Sequence, residues 1–290
     1  MMPTGAHGIL AHYFHDGHRY PAMQGSLSLE AWEAGLERYG ARLIPASEWI
    51  DRAVAGQTKD ECCVTFDDGL REAYVIAKPS LDRRGLTAAW NIYTGPLVGV
   101  PNNLERWRWL RNVGFGSVHQ FYDAWWAFLQ AIPKVPDQYL ADRSYLTWED
   151  RSFRYWRNCR VDPVHYESVM SALEEQTGHV WSATNHWLSF FDIQALDAAG
   201  HVIGFHTHSH PTNMARLSLE QQALEYATSK GILEFCLEHP VTTMAHPCDS
   251  WTPDGMAWLR ANGLRLAWGG TMQGQAPWHA PRWSTGEWAL

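Results

Sequence analysis

The chain has 290 residues, with 23 Lys+Arg against 31 Asp+Glu for a formal net charge of −8, and is 46% hydrophobic and 19% charged. This length and composition fit one large barrel or α/β domain, or two small domains, and exclude a disordered chain. The acidic balance, with no dense Lys/Arg run, excludes nucleic acid as the favoured partner, because phosphate affinity comes mostly from cationic side chains; 17 Trp and 15 His leave sugar binding on indole faces open.

The first twenty residues, MMPTGAHGILAHYFHDGHRY, carry neither the basic n-region nor the long apolar h-region of a secretory signal. No stretch approaches the roughly 18 apolar residues that a transmembrane helix needs. Cys62, Cys63, Cys159, Cys236 and Cys248 show no paired metal spacing, and their odd number cannot all pair within one chain. Reduced thiols in a cytoplasmic protein are the expectation.

In chain order, residues 8–14 predict a strand. Ser28 then caps a helix with Leu29, Trp32, Leu36 and Tyr39 at helical spacing, closed by Gly40. A second strand is expected over 61–66, then a helix over 71–84 broken at Pro79, then a strand over 87–93 apolar enough to be buried on both faces. From 101 to 185 the β/α alternation stops, and helical patches such as 118–129 carry many Trp. It resumes with a helix at 192–199, a strand at 201–205, and a helix opened by the capping pair Ser218 and Gln221 that runs to about 238. A strand at 241–245, a helix from 253 and a strand at 264–268 complete the series. Repeated β-α-β units predict an α/β fold with a parallel sheet, open or closed into a barrel, and place the 101–185 segment as an insertion in one βα loop.

Two clusters follow strands directly. Thr65-Phe66-Asp67-Asp68-Gly69 puts adjacent carboxylates at the rim of the sheet. In an extended strand neighbours face opposite ways, so a turn beginning at Gly69 has to bring both into one cavity, with a cation between or beside them to relieve repulsion. Read alone, the same residues also describe a solvated turn. His206-Thr207-His208-Ser209-His210-Pro211 places His206 and His210 four apart, on one face if the segment makes a helical turn. Two imidazoles, a carboxylate and one open position describe a catalytic zinc site, and the same donors describe a non-haem Fe(II) triad. The extra carboxylate favours a hydrolase, which uses a general base.

Together these motifs resemble the polysaccharide deacetylases of carbohydrate esterase family 4. Gly200-His201-Val202-Ile203-Gly204 resembles that family's lead into its histidine motif, and His12-Tyr13-Phe14, Arg19-Tyr20-Pro21 and Gly25-Ser26-Leu27 resemble the start of members with circularly permuted motifs. The resemblance implies a distorted parallel (β/α) barrel of about seven strands with a helical, Trp-rich insertion, forming one catalytic domain over 1–290. By the same resemblance Asp67 is the general base, and Asp68, His206 and His210 hold a divalent metal, zinc by preference. His12 is the general acid and Arg282, in Pro281-Arg282-Trp283, the partner of the base. His208 falls at a variable position, and His15 and His18 are weaker acid candidates.

The third motif departs from the family. Met244-Ala245-His246-Pro247-Cys248-Asp249 has Cys-Asp where the family usually has Tyr-Gly. A backbone N–H survives such a change, so Cys248 is expected to supply the oxyanion donor, while the loss of Gly puts the conformation at Asp249 in question. The expected reaction is removal of an N-acetyl or N-formyl group from an amino sugar, a nucleotide- or lipid-linked precursor of surface polysaccharide. The competing reading is an inactive carbohydrate-binding protein that keeps the barrel. Most Trp of the insertion are expected to pack, and Arg106, Arg108 and Arg111, which interleave with Trp107 and Trp109, include candidates for a phosphate or carboxylate on the substrate.

Overall fold

The structure, a computed structural model, describes residues 3–141, 143, 145–270 and 279–288. Its contacts divide the chain into two compact units, 1–101 with 185–289, and 102–184.

Among the described residues the first unit is built on eight strands, all parallel: β1 (His7–Ala11), β2 (Cys62–Phe66), β3 (Ala88–Ile92), β4 (Val202–Phe205), β5 (Thr243–Ala245), β6 (Leu266–Trp268), β7 (His279–Ala280) and β8 (Arg282–Ser284). Every residue of β1, β2 and β3 is buried, as the apolar runs require of strands covered on both faces. The strand order is β7-β6-β5-β4-β3-β2-β1-β8. The two ends of that order, β7 and β8, are separated in the chain by Pro281 alone, and two residues reach no further than about 7 Å. The segment 279–284 is therefore one strand interrupted by a proline that has no N–H to give the ladder. Its first half pairs with β6 and its second half with β1, which brings the two edges of the sheet together. Counted that way the described residues give seven strands, the number the resemblance implies.

The covering helices follow their sequence signals. Leu29–Tyr39 is capped by Ser28 and ends at Gly40 with φ 51°. Leu219–Leu237 opens with both arms of the Ser218/Gln221 capping box in place. One expectation is corrected: Pro79 does not break its helix. A π-helical turn at Ala73–Ala77 precedes Lys78–Arg83, and the widened turn absorbs the hydrogen bond that the proline cannot donate. The main core lies between sheet and helices, around Phe14, Trp32, Phe66, Trp90 and Phe205.

The second unit is helical, with Leu104–Trp109, Val118–Leu129, Trp148–Tyr155 and Pro163–Thr177 as its α-helices. Trp107 and Trp125 are buried in its own core, with Trp126 and Trp156 packed against them. Trp109 stacks on His179, and Trp148 is half exposed.

Candidate active site and metal centre

Each sequence-predicted site residue of the first unit lies just beyond the C-terminal end of a strand or on the closing strand. That rim is the face on which parallel barrels gather reactive groups. His12 follows β1, Asp67 and Asp68 follow β2, His206 and His210 follow β4, Cys248 follows β5, and Arg282 opens β8.

The two carboxylates reach one cavity because the turn begins a residue earlier than the sequence suggests. Asp68 itself has φ 69°, before Gly69 with φ 67°. The left-handed turn reverses the alternation of side chains, and Asp is among the residues that tolerate it. Asp68 Oδ1 then lies 3.2 Å from His206 Nε2 and 3.1 Å from His210 Nε2. All three residues are buried, and their ligand atoms lie within 4.8 Å of one another.

The histidine segment is not a helical turn. Thr207 and His210 have φ 64° and 57°, and the loop between them is tied down from outside. Glu225, on the helix Leu219–Leu237, accepts from the backbone N–H groups of His208 and Ser209 at 2.9 and 2.8 Å and from the Ser209 hydroxyl at 2.6 Å. His208 turns away to Thr94 Oγ1 at 3.1 Å.

The donor set fits a cation. His206 Nδ1 lies 2.8 Å from the Ala245 carbonyl oxygen. A carbonyl only accepts, so Nδ1 carries the proton and a neutral His206 presents its Nε2 lone pair to Asp68. A carboxylate oxygen facing imidazole lone pairs is repulsive unless a proton or a metal ion lies among them. In a proton's case, burial alone would lower the His206 pKa, yet the fields of Asp67 and Asp68 reverse this and raise it. The same negative field favours a divalent ion.

Asp67 is oriented separately. Its Oδ1 accepts from Arg282 Nη1 and from Asn91 Nδ2, each at 2.8 Å, and its Oδ2 lies 3.8 Å from His12 Nε2. Burial would raise the Asp67 pKa, but the Arg282 guanidinium, with His206 and His12, holds it down at about 2. Arg282 is itself 2% exposed, and its Nε donates to the Gly269 carbonyl. His12 is held below the ordinary imidazole value by burial, against the attraction of Asp68 and Asp67. Its loop is fixed by the buried Glu72, which accepts from the Phe14 N–H at 2.8 Å. His18, beyond it, is exposed.

In the third motif Cys248 and Asp249 have φ 52° and 55°. The loop thus keeps a conformation that suits glycine although Asp occupies 249. Asp249 Oδ1 accepts from the Gly270 N–H at 2.7 Å, a bond that a glycine cannot make. Cys248 is exposed, two residues after His246.

Sequence reasoning missed three participants. Asn91 stands alone inside an apolar strand, where it reads as a core residue. The signal was its partner in register, Gly204, because a Cβ there would lie 2.5 Å from Asn91 Oδ1. Glu225 was hidden on an ordinary helix face. His246 belongs to a quoted motif without a role, and its Nε2 lies 3.1 Å from His279 Nε2, both rings being buried.

Compared with known proteins, residues 142–267 match the family model of polysaccharide deacetylases, a span that holds the histidine and third motifs but not Asp67 and Asp68. No curated protein matches the chain. Among solved structures, the Streptococcus pyogenes deacetylase PplD in complex with acetate is 13% identical with a TM-score of 0.57, covering 97% of this chain and 93% of its own. IcaB from Ammonifex degensii is 15% identical, TM-score 0.57, covering 99% and 96%. A de-N-acetylase from Aggregatibacter actinomycetemcomitans is 10% identical, TM-score 0.57, covering 96% and 94%. The structures show a shared fold. The family match bears out the resemblance read from the histidine and third motifs.

Proposed function

We propose that this chain is a divalent-metal-dependent hydrolase, organised as one catalytic domain with an insertion at 101–185. It removes an N-acetyl or N-formyl group from an amino sugar, as carried on the nucleotide- or lipid-linked precursors of surface polysaccharide. The observation that supports this most directly is the convergence of a buried Asp68–His206–His210 donor set with a second carboxylate, Asp67, held ionised beside it.

The residues divide the work. Asp68, His206 and His210 hold the ion. A divalent ion such as zinc held there would supply Lewis acidity for the amide carbonyl and a water whose pKa falls to roughly 7, within the reach of a carboxylate as weakly basic as Asp67. Arg282 and Asn91 both occupy Oδ1 of Asp67, so Oδ2 is the oxygen that receives the proton. His12, 3.8 Å from that oxygen, protonates the leaving amine. The backbone N–H of Cys248 serves the developing oxyanion.

The test is Asp67→Asn in zinc-loaded protein, assayed by mass spectrometry on N-acetyl and N-formyl amino sugars, free and as nucleotide derivatives. Turnover falls by at least about a hundredfold, while metal analysis still finds zinc at the level of the unaltered chain, and His206→Ala loses the metal. Undiminished deacylation by the Asn variant removes Asp67 as the base.

A further inference from the structure

Next to Asp67, three neighbouring strands place Asn91, Gly204 and Thr243 side by side. Asn91 on β3 pairs in register with Gly204 on β4, and the pairing of Phe205 with Met244 carries the same row on to Thr243, the first residue of β5. Side chains two strands apart start from backbones roughly 10 Å apart, and a side chain between them would keep them separate. Gly204 has none. A Cβ placed there would lie 2.5 Å from Asn91 Oδ1 and 2.9 Å from Thr243 Oγ1. The gap between the two oxygens is no wider than those distances laid end to end, and two hydrogen bonds of about 2.8 Å each span it.

Asn91 and Thr243 are 0% and 2% exposed, and among the described residues neither of these oxygens meets a hydrogen-bond partner. The Asn91 amide cannot turn over to mend this. Its Nδ2 donates to Asp67 Oδ1 at 2.8 Å and to the Phe66 carbonyl at 3.4 Å. An ionised carboxylate and a carbonyl only accept, so the amide nitrogen stays on that side and Oδ1 faces Gly204. What Oδ1 lacks is a donor, and the Thr243 hydroxyl is one that has no acceptor. The two do not bond directly, yet leaving both buried and unmatched is costly. One water between them satisfies both. The Thr243 carbonyl, 3.0 Å from the same point over Gly204, offers a third partner, the number an internal water usually has.

We propose that Thr243 is a positioning residue for Asp67, acting through one buried water and Asn91. The Thr243 hydroxyl donates to the water, the water donates to Asn91 Oδ1, and Asn91 Nδ2 donates to Asp67 Oδ1. The relay locks the amide in the orientation that offers its N–H to the carboxylate. Turned over, the amide would set its oxygen against the carboxylate, and Asp67 would lose one of the two donors that fix its plane. The inference rests on the function proposed above for what Asp67 does, while the relay itself belongs to the resting fold.

Two variants and two readouts test this in the zinc-loaded full chain. Thr243→Val keeps the shape and removes the donor. It is expected to lower kcat on an N-acetyl amino sugar about 10-fold, the worth of one ordinary hydrogen bond, with KM and zinc content unchanged. Thr243→Ser returns the hydroxyl and is expected to bring kcat back to within about threefold of the unaltered chain. The second readout needs no turnover. In nitrogen-correlated NMR spectra, the side-chain amide protons of Asn91 are expected to exchange with water at least about 10-fold faster in Thr243→Val than in the unaltered chain or the Ser variant. A fall in kcat smaller than about threefold, a loss carried by KM, a Ser variant that recovers nothing, or amide exchange that is the same in all three chains overturns the proposal. A lower melting temperature of Thr243→Val with unchanged kcat makes the residue structural and overturns it too. Should the amide respond as expected while no form deacylates any N-acyl amino sugar, the relay stands and the deacylase reading falls.

Discussion

Replacing Arg282 by Met tests how the rim is held together. The guanidinium and Asp67 are both essentially buried and meet at 2.8 Å, so the substitution leaves a carboxylate stranded in the barrel. Breaking such a pair from one side costs about 3–5 kcal/mol, a large share of the stability of an ordinary domain. The pH dependence gives the sign. With Arg282 in place the Asp67 pKa is about 2, below its unfolded value, so the carboxylate contributes stability above the unfolded value and loses it as pH falls toward 2. That contribution is about 2 kcal/mol. Without Arg282, burial dominates and the folded pKa rises above the unfolded one. Stability then increases as pH falls from 7 towards 5, the reverse of the unaltered chain. Urea unfolding at saturating zinc measures both quantities, and the double variant Asp67→Asn/Arg282→Met is expected to recover at least half of the single variant's loss. A cost below about 1 kcal/mol, or a double variant no better than the single, would refute the view that Asp67 depends on Arg282.

Three further outcomes follow from contacts away from the reacting groups. Glu225→Gln weakens the two backbone hydrogen bonds that shape the histidine loop, and zinc affinity measured by competition with a chromophoric chelator should drop by about 10-fold with the helix content unchanged. At 249, Asp249→Ala should lose about 1–2 kcal/mol in urea unfolding, for it removes the Gly270 hydrogen bond and places Ala in a left-handed conformation; Asp249→Gly should lose less. His201 accepts from the Ala88 N–H and the Trp90 indole through the same Nδ1, and burial lowers its pKa to about 4. The unfolded chain binds the proton first, so stability falls between about pH 6.5 and 4 by about 3 kcal/mol from this group, and His201→Gln should flatten that part of the profile.

Much of the fold was legible because its signals are local. Ser28 with Gly40, and Ser218 with Gln221, mark helix ends through hydrogen bonds made within a few residues, and the apolar runs ending at Phe66 and Ile92 read as buried strands. The convergence of Asp68 with His206 and His210 was legible from motif order, since parallel strands put successive strand ends on one rim. What escaped was set by contacts far apart in sequence or by backbone detail. Asn91 and Glu225 matter only through the groups they meet. The left-handed turn begins at Asp68 instead of Gly69, which no composition rule announces. The π-helical turn that accommodates Pro79 likewise depends on the whole helix, and a proline by itself reads as a break.

The strand interrupted at Pro281 has a consequence in time. All three proposed metal ligands have been made by residue 210, and the strands that carry them, β2 and β4, are both partners of β3, which also precedes the segment 279–284. Arg282 arrives seventy-two residues later on the segment that joins the two sheet edges. A chain still on the ribosome can therefore assemble a metal-binding rim while its proposed base lacks the partner that keeps it ionised. The pairing that joins the two sheet edges also brings Arg282 to Asp67, so closure of the sheet and ionisation of the proposed base are one event.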